Sequence, residues 1–190
     1  MPRDPRVFDA REIYHATGHA VDGLTIFGDD RDCQDFVLRL GRASASEGWV
    51  VFAACLMRTH YHLLFQPRLW RASEGLQVLH GGFARDFNRR HGRRGAVWEA
   101  RFRSSPVTED AHLVEAVRYI AMNPVRAGMI SEPADWPWST YGQLVGRQRR
   151  WPFFEPLRTI ELFGGLTQLR DFVEGAQAVS DTVGVRHWRG

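Results

Sequence analysis

The chain has 190 residues, 44% of them apolar and 25% charged, with 25 basic against 22 acidic side chains and a net charge of +3. At about 100–200 residues per domain this predicts one domain with a tail, and the composition excludes a disordered chain, a collagen and a membrane bundle. No apolar run approaches the ~20 residues that cross a bilayer, and Met1 to Arg11 is polar with both signs of charge, unlike a secretory leader.

The two cysteines, Cys33 and Cys55, make neither a disulfide framework nor a zinc site, so a cytoplasmic location is expected. The sequence contains no lysine; all 25 basic residues are arginine. Guanidinium suits phosphate and base stacking better than ammonium does.

In chain order, residues 12–19 predict a first strand. Asp29 and Asp30 signal the start of a helix over 31–46, striped by Phe36, Val37 and Leu40, and Gly48 stops it. Trp49 to Met57 predicts a buried strand, with His60 to Phe65 as its hairpin partner across Arg58-Thr59. Residues 71–91 are helical in pattern despite Gly81 and Gly82. Arg101 to Val107 predicts a fourth strand. Thr108 is then expected to cap a helix to about Met122, with Leu113, Val117 and Ile120 on its apolar face. The order β-α-β-β-α-β-α predicts an α+β fold, a ferredoxin-like antiparallel sheet with helices on one face. Beyond residue 128 the chain is punctuated by Trp-Pro pairs, and Trp136 to Tyr141 is expected to pack on the core edge. Leu157 to Ala178 predicts one or two short helices. The expected division is residues 1–145 as the domain and 146–190 as a C-terminal extension.

Charge concentrates in one stretch. Residues 85–103 hold Arg85, Arg89, Arg90, Arg93, Arg94, Arg101 and Arg103 against Asp86 and Glu99. Such a run is either a solvated loop or a nucleic-acid surface. The interleaved Phe83, Phe87, Trp98 and Phe102 favour the second, because single-strand surfaces combine arginine with stacking aromatics.

Two motifs carry chemistry. In His60-Tyr61-His62 on a strand, both imidazoles point one way and Tyr61 the other. They either converge on one divalent ion or sit half-buried on a sheet surface. In the second motif, Tyr119 and Asn123 form an i, i+4 pair near the end of a helix that Pro124 is expected to close. Alone, that pair reads as a packed tyrosine and a helix cap, while Arg126 is within reach of a helix carbonyl or a phosphate. Taken together, the motifs describe a reaction. Two imidazoles and an amide oxygen leave a divalent ion open positions for phosphate oxygens, and a nearby tyrosine hydroxyl can attack the phosphorus.

Five ordered runs carry a resemblance. They are Leu56 to Leu64, Phe83 to Gly92, Arg101 to Ser104, Arg118 to Gly128 and Asp135 to Tyr141. Together they resemble the single-tyrosine branch of the HUH nuclease superfamily, and within it the REP-associated tyrosine transposases, over roughly residues 1–145. The resemblance implies His60, His62 and Asn123 as ligands of Mg²⁺ or Mn²⁺ and Tyr119 as nucleophile. It also implies single-stranded or hairpin DNA as partner, cut through a 5′-phosphotyrosine. Arg85, Arg89, Arg90, Arg93, Arg94, Arg101, Arg103 and Arg126 are the expected DNA contacts. Thr17-Gly18-His19-Ala20 departs from the arginine-glycine segment usual there, which leaves His19 as an expected surface residue. Trp98-Glu99-Ala100 likewise lacks the usual Gln-Gly. The competing reading is a hairpin-binding protein whose chemistry has been lost. A zinc-structural role is disfavoured by the lack of cysteine pairs, and RNA remains an alternative target. Monomer and homodimer are both open, and no membrane partner is expected.

Overall fold

Strands form where short apolar runs lie between turn signals: 50–56 is apolar throughout, and from 60 to 66 successive side chains turn to opposite, packed faces. The computed structural model describes residues 8–69, 71–147 and 150–175. The strands are β1 (Ile13–His19), β2 (Val50–Leu56), β3 (His60–Gln66) and β4 (Arg103–Val107). They pair antiparallel in the order β2-β3-β1-β4, so β3 and β1 are central. This is the ferredoxin-like α+β sheet expected.

Helix α1 (Asp30–Glu47) starts and stops on its predicted signals. The Asp29 carboxylate accepts from the Arg31 and Asp32 amides, both at 3.0 Å, and Gly48 ends the helix at φ 66°. Helix α2 (Ala72–Arg90) keeps both glycines, and one has a packing reason. A Cβ on Gly82 would meet the Arg39 guanidinium of α1, so the glycine lets the helices approach.

The faces of the sheet correct one expectation. Tyr61, Leu63 and Phe65 join the core under α1 and α2, with Phe36, Leu40, Leu76 and Phe83. Leu64 points the other way and packs with Leu113, Val117 and Ile120 of α3 (Asp110–Arg126). Thus α1 and α2 share one face, but α3 covers the opposite one. The reason lies in β2, where a bulge between Val51 and Ala53 turns Phe52 and Ala53 to the same side. With Cys55 and Leu64 they form a second apolar patch that α3 must bury.

Helix α3 differs from expectation at both ends. Glu109, not Thr108, occupies its N-cap, without a side-chain bond, and the helix runs through Pro124 to Arg126. Proline in the last turn removes one helical N–H, while the Ala127 amide still reaches the Asn123 carbonyl at 2.9 Å. Asn123 is therefore helical rather than a cap.

The later segment packs on this body. Trp136 donates from Nε1 to the Leu56 carbonyl at 2.8 Å, and Trp138 and Tyr141 are buried, as expected of the aromatic stretch. After α4 (Tyr141–Leu144), α5 (Pro156–Leu162) and α6 (Leu166–Glu174) follow. Trp151, Phe154, Leu169 and Val173 belong to the core cluster of the sheet. Thr159 Oγ1 donates to the Phe52 carbonyl at 2.7 Å, and Tyr141 Oη to Glu174 Oε1 at 2.7 Å. The end of the predicted helical stretch, residues 176–178, lies outside the described residues. Among those described, no helix is long and apolar enough to cross a membrane.

Candidate active site

The side chains of β1 and β3 that face α3 include four imidazoles. Register decides how they meet. His19 lies opposite His60, Thr17 opposite His62 and His15 opposite Leu64. The His19 and His60 rings stack at 4.8 Å and 8°, and His15 and His62 at 5.2 Å and 22°. His60 and His62 meet edge to face at 5.1 Å.

Helix α3 brings Tyr119 onto this cluster. Its ring centre lies 5.4 Å from that of His62 at 87°, and 6.2 Å from that of His15 at 75°. So the two motifs, 57 positions apart in sequence, share one site because α3 crosses the face toward which His60 and His62 point. Asn123 lies one turn beyond Tyr119, and its Nδ2 donates to the Tyr119 carbonyl at 2.9 Å. The hydrogen bond uses the nitrogen branch of the amide and leaves Oδ1, the atom able to ligate a cation, outside it.

Electrostatics keep the imidazoles neutral. Burial pushes the His15 and His60 pKa values down to about 4, and for His60 the neighbouring His19 adds to the effect. Burial, reinforced by His15, His60 and His19, holds His62 well below its ordinary value. His19 is lowered by burial and by the charge of Arg103. Neutral imidazole is the metal-binding form.

The donor set fits a divalent ion. His62 Nδ1 lies 3.0 Å from His15 Nε2, while His62 Nε2 is buried with no hydrogen-bond partner. His60 Nδ1 lies 3.1 Å from Thr59 Oγ1. Both histidines thus engage Nδ1 and leave Nε2 outside those contacts. Among the described residues no three His, Cys, Asp or Glu side chains are grouped to enclose a metal. The residues that could hold a divalent ion are His60 and His62, with the Asn123 amide oxygen as a third donor.

Behind the cluster, Tyr61 points into the opposite core and its Oη lies 2.8 Å from His80 Nε2. A Cβ on Gly18 would come within 2.6 Å of the Tyr61 ring and 2.8 Å of the His80 ring. Glycine at this position therefore lets β1 pass close to the residue that separates the two candidate ligands.

The arginines divide. Arg103 pairs with Thr17 across β4 and β1, which puts it on the histidine face of the sheet. The Arg126 guanidinium carbon lies 5.4 Å from the Tyr119 ring centre. Arg85, Arg93, Arg94 and Arg101 are exposed. Arg89 is exposed but paired with Asp86 at 2.7 Å. Arg90 is committed within the fold, bonded to Asp29 and Asp32, with Asp32 also accepting from His91 at 3.1 Å. The aromatics that pointed to a stacking surface do not form one. Phe83, Phe87 and Phe102 are core residues, and Trp98 donates from Nε1 to the His80 carbonyl at 3.0 Å. Their apolar partners on α1 and the sheet claim them first.

Sequence reasoning missed His15 and took His19 for a surface residue. The period of two between them was visible, but which imidazole each would meet follows only from strand register. Both cysteines are buried; burial pushes the Cys33 thiol up to about 12, so neither offers a nucleophile.

No protein-family model matches the chain. A REP-associated tyrosine transposase of Haemophilus influenzae is 28% identical over 100 residues, which cover 47% of this chain and 57% of that protein. A solved structure of a REP-associated tyrosine transposase bound to a REP hairpin superposes with a TM-score of 0.61 at 17% identity. The match covers 80% of this chain and 90% of that one. The chain resembles the REP-associated tyrosine transposases in sequence, and it shares the fold of the solved one.

Proposed function

We propose that this protein is a metal-dependent transposase of the REP-associated type, which cuts and rejoins single-stranded DNA at hairpin-forming repeats. The observation that carries the reading is the edge-to-face contact of Tyr119 with His62, whose buried Nε2 has no other partner. His60, His62 and Asn123 are the residues that would hold Mg²⁺ or Mn²⁺. The bound ion supplies polarisation of the scissile phosphodiester and neutralisation of charge at phosphorus.

The chain's own groups do the rest. Tyr119 Oη forms a bond to phosphorus as the bond from phosphorus to the 3′ oxygen breaks. In the net reaction the phenolic proton is the one gained by the released 3′-hydroxyl. The product is a 5′-phosphotyrosine, which keeps the phosphodiester energy for rejoining. Arg103 and Arg126, flanking the histidines and the tyrosine, neutralise phosphates on either side of the cut. The exposed Arg93 and Arg94 contact backbone phosphates of the hairpin. A DNA substrate carries a cytoplasmic location with it.

Covalent trapping tests the reading. Hairpin DNA with a single-stranded flank, labelled at either end, is mixed with the protein and Mn²⁺ and run on a denaturing gel. The expected result is a metal-dependent adduct to the 5′ phosphate of the fragment downstream of the cut, carried by the 3′ label alone, that disappears in Tyr119→Phe. Tight hairpin binding with no adduct in any divalent metal would replace this reading with that of a binding protein on a retired catalytic scaffold.

A further inference from the structure

We propose that His15 is a positioning residue for His62: its Nε2 accepts the Nδ1 proton of His62 and so fixes the tautomer in which His62 Nε2 offers a lone pair at the site. The inference deepens the metal-dependent reading above and rests on it.

Three observations converge. The two nitrogens are 3.0 Å apart, a hydrogen-bond distance. The rings lie nearly parallel at 22°, so His15 also restricts the rotation of the His62 ring. His62 Nε2 is buried and unpartnered. Two buried imidazoles that share one hydrogen bond have one proton in it, and only two arrangements exist. If His15 donated, His62 would carry its proton on Nε2, as a buried N–H with no acceptor. If His62 donates, Nε2 carries a lone pair instead, which is the atom and state a divalent ion requires. Ligating histidines commonly donate their other ring N–H to an acceptor in this way, and losing that acceptor typically weakens metal affinity about 10–100-fold.

The placement explains why the acceptor comes from β1. His15 is opposite Leu64, one side-chain step along the same face from the Thr17–His62 pair. A ring at that diagonal reaches Nδ1 from the side, while Tyr119 approaches both rings edge-on from α3. His60 has a different partner in Thr59 Oγ1, 3.1 Å from its Nδ1, so each candidate ligand has its own Nδ1 partner.

The experiment uses the full chain without DNA. Long-range ¹H–¹⁵N spectra of the metal-free protein report the tautomer of His62, and Mn²⁺ titration followed by electron paramagnetic resonance reports affinity. The expected result is an Nδ1–H tautomer at His62 in the parent. In His15→Phe, which keeps a ring but no acceptor, the tautomer becomes mixed and Mn²⁺ affinity falls about 10–100-fold. His15→Gln, which restores an acceptor, recovers most of that affinity. An Nε2–H tautomer in the parent, or Mn²⁺ affinity in His15→Phe within twofold of the parent, would overturn the proposal and leave the metal-dependent reading standing. A parent protein that binds no Mn²⁺ would overturn both.

Discussion

The guanidinium of Arg126 lies over the ring of Tyr119, with 5.4 Å between its central carbon and the ring centre. Both residues sit on α3, seven positions apart, and the helix brings them onto one face only because it continues through Pro124 to Arg126. A helix that ended at Asn123 would leave the orientation of Arg126 undetermined.

That relationship yields the first prediction. Arg126 is exposed, where a cation over an aromatic ring contributes only about 0.5–1 kcal/mol, and the proposed function gives it a phosphate flanking the cut. Arg126→Ala is expected to slow adduct formation about tenfold in single-turnover trapping while leaving urea stability close to that of the parent. An unchanged rate would remove Arg126 from the site.

The second prediction separates arginines that serve the fold from those that serve the ligand. Asp32 is 3% exposed and holds both Arg90 and His91. Arg90 is one of the two partners of the buried Asp32 carboxylate, and removing it leaves that charge less well satisfied. Arg90→Ala should therefore lower the urea midpoint clearly and change the salt dependence of DNA binding little. Replacing Arg93 and Arg94 together should do the reverse. It should reduce the slope of log affinity against log salt by about 1.5, since each phosphate contact contributes about 0.7–0.9.

The third prediction concerns acid. Burial holds His80 down to about 3, and Tyr61, whose pKa burial pushes up, keeps its proton for the bond to His80 Nε2. The unfolded chain takes up a proton at His80 near the ordinary imidazole value of 6.5, and the folded chain does not. The neutral ring's contribution is therefore complete above pH 6.5 and is lost as pH falls toward 3. The limiting slope for one such group is about 1.4 kcal/mol per pH unit. Comparing urea unfolding at neutral pH with unfolding under mildly acid conditions should show a marked loss of stability. In His80→Gln, which keeps an acceptor and cannot charge, the loss should be shallower. Equal pH dependence in the two proteins would show that His80 is not buried as described.

The fourth prediction addresses the segment after residue 145. Trp151 is fully buried in the same cluster as the sheet residues. Trp151→Ala should cost about 3–5 kcal/mol, read as a large fall in urea midpoint. A protein truncated after residue 145 should expose hydrophobic surface and bind a dye such as ANS. A truncated chain with parental stability would mean that α5 and α6 are dispensable.

Much was settled by local patterns in the sequence. The apolar run after Gly48 located β2, and the Arg58-Thr59 turn located β3 as its hairpin partner, because a strand between two packed layers is apolar on both faces. Asp29 and Gly48 bounded α1, because caps act through neighbouring backbone groups. The His60-Tyr61-His62 alternation already placed two imidazoles on one face, and the ordered runs from Leu56 to Tyr141 carried the family resemblance.

Tertiary structure decided the rest, because it depends on contacts between residues distant in the chain. The β2 bulge created a second apolar patch, and that patch drew α3 and Tyr119 to the histidine face. Strand register, which no short window of sequence encodes, set His15 beside His62 and His19 over His60. The same long-range packing took Phe83, Phe87 and Phe102 into the core and committed Arg90 to Asp29 and Asp32. An aromatic or an arginine reads alike in sequence whether its partner is solvent, a ligand or the protein itself, and only the folded chain brings that partner within reach.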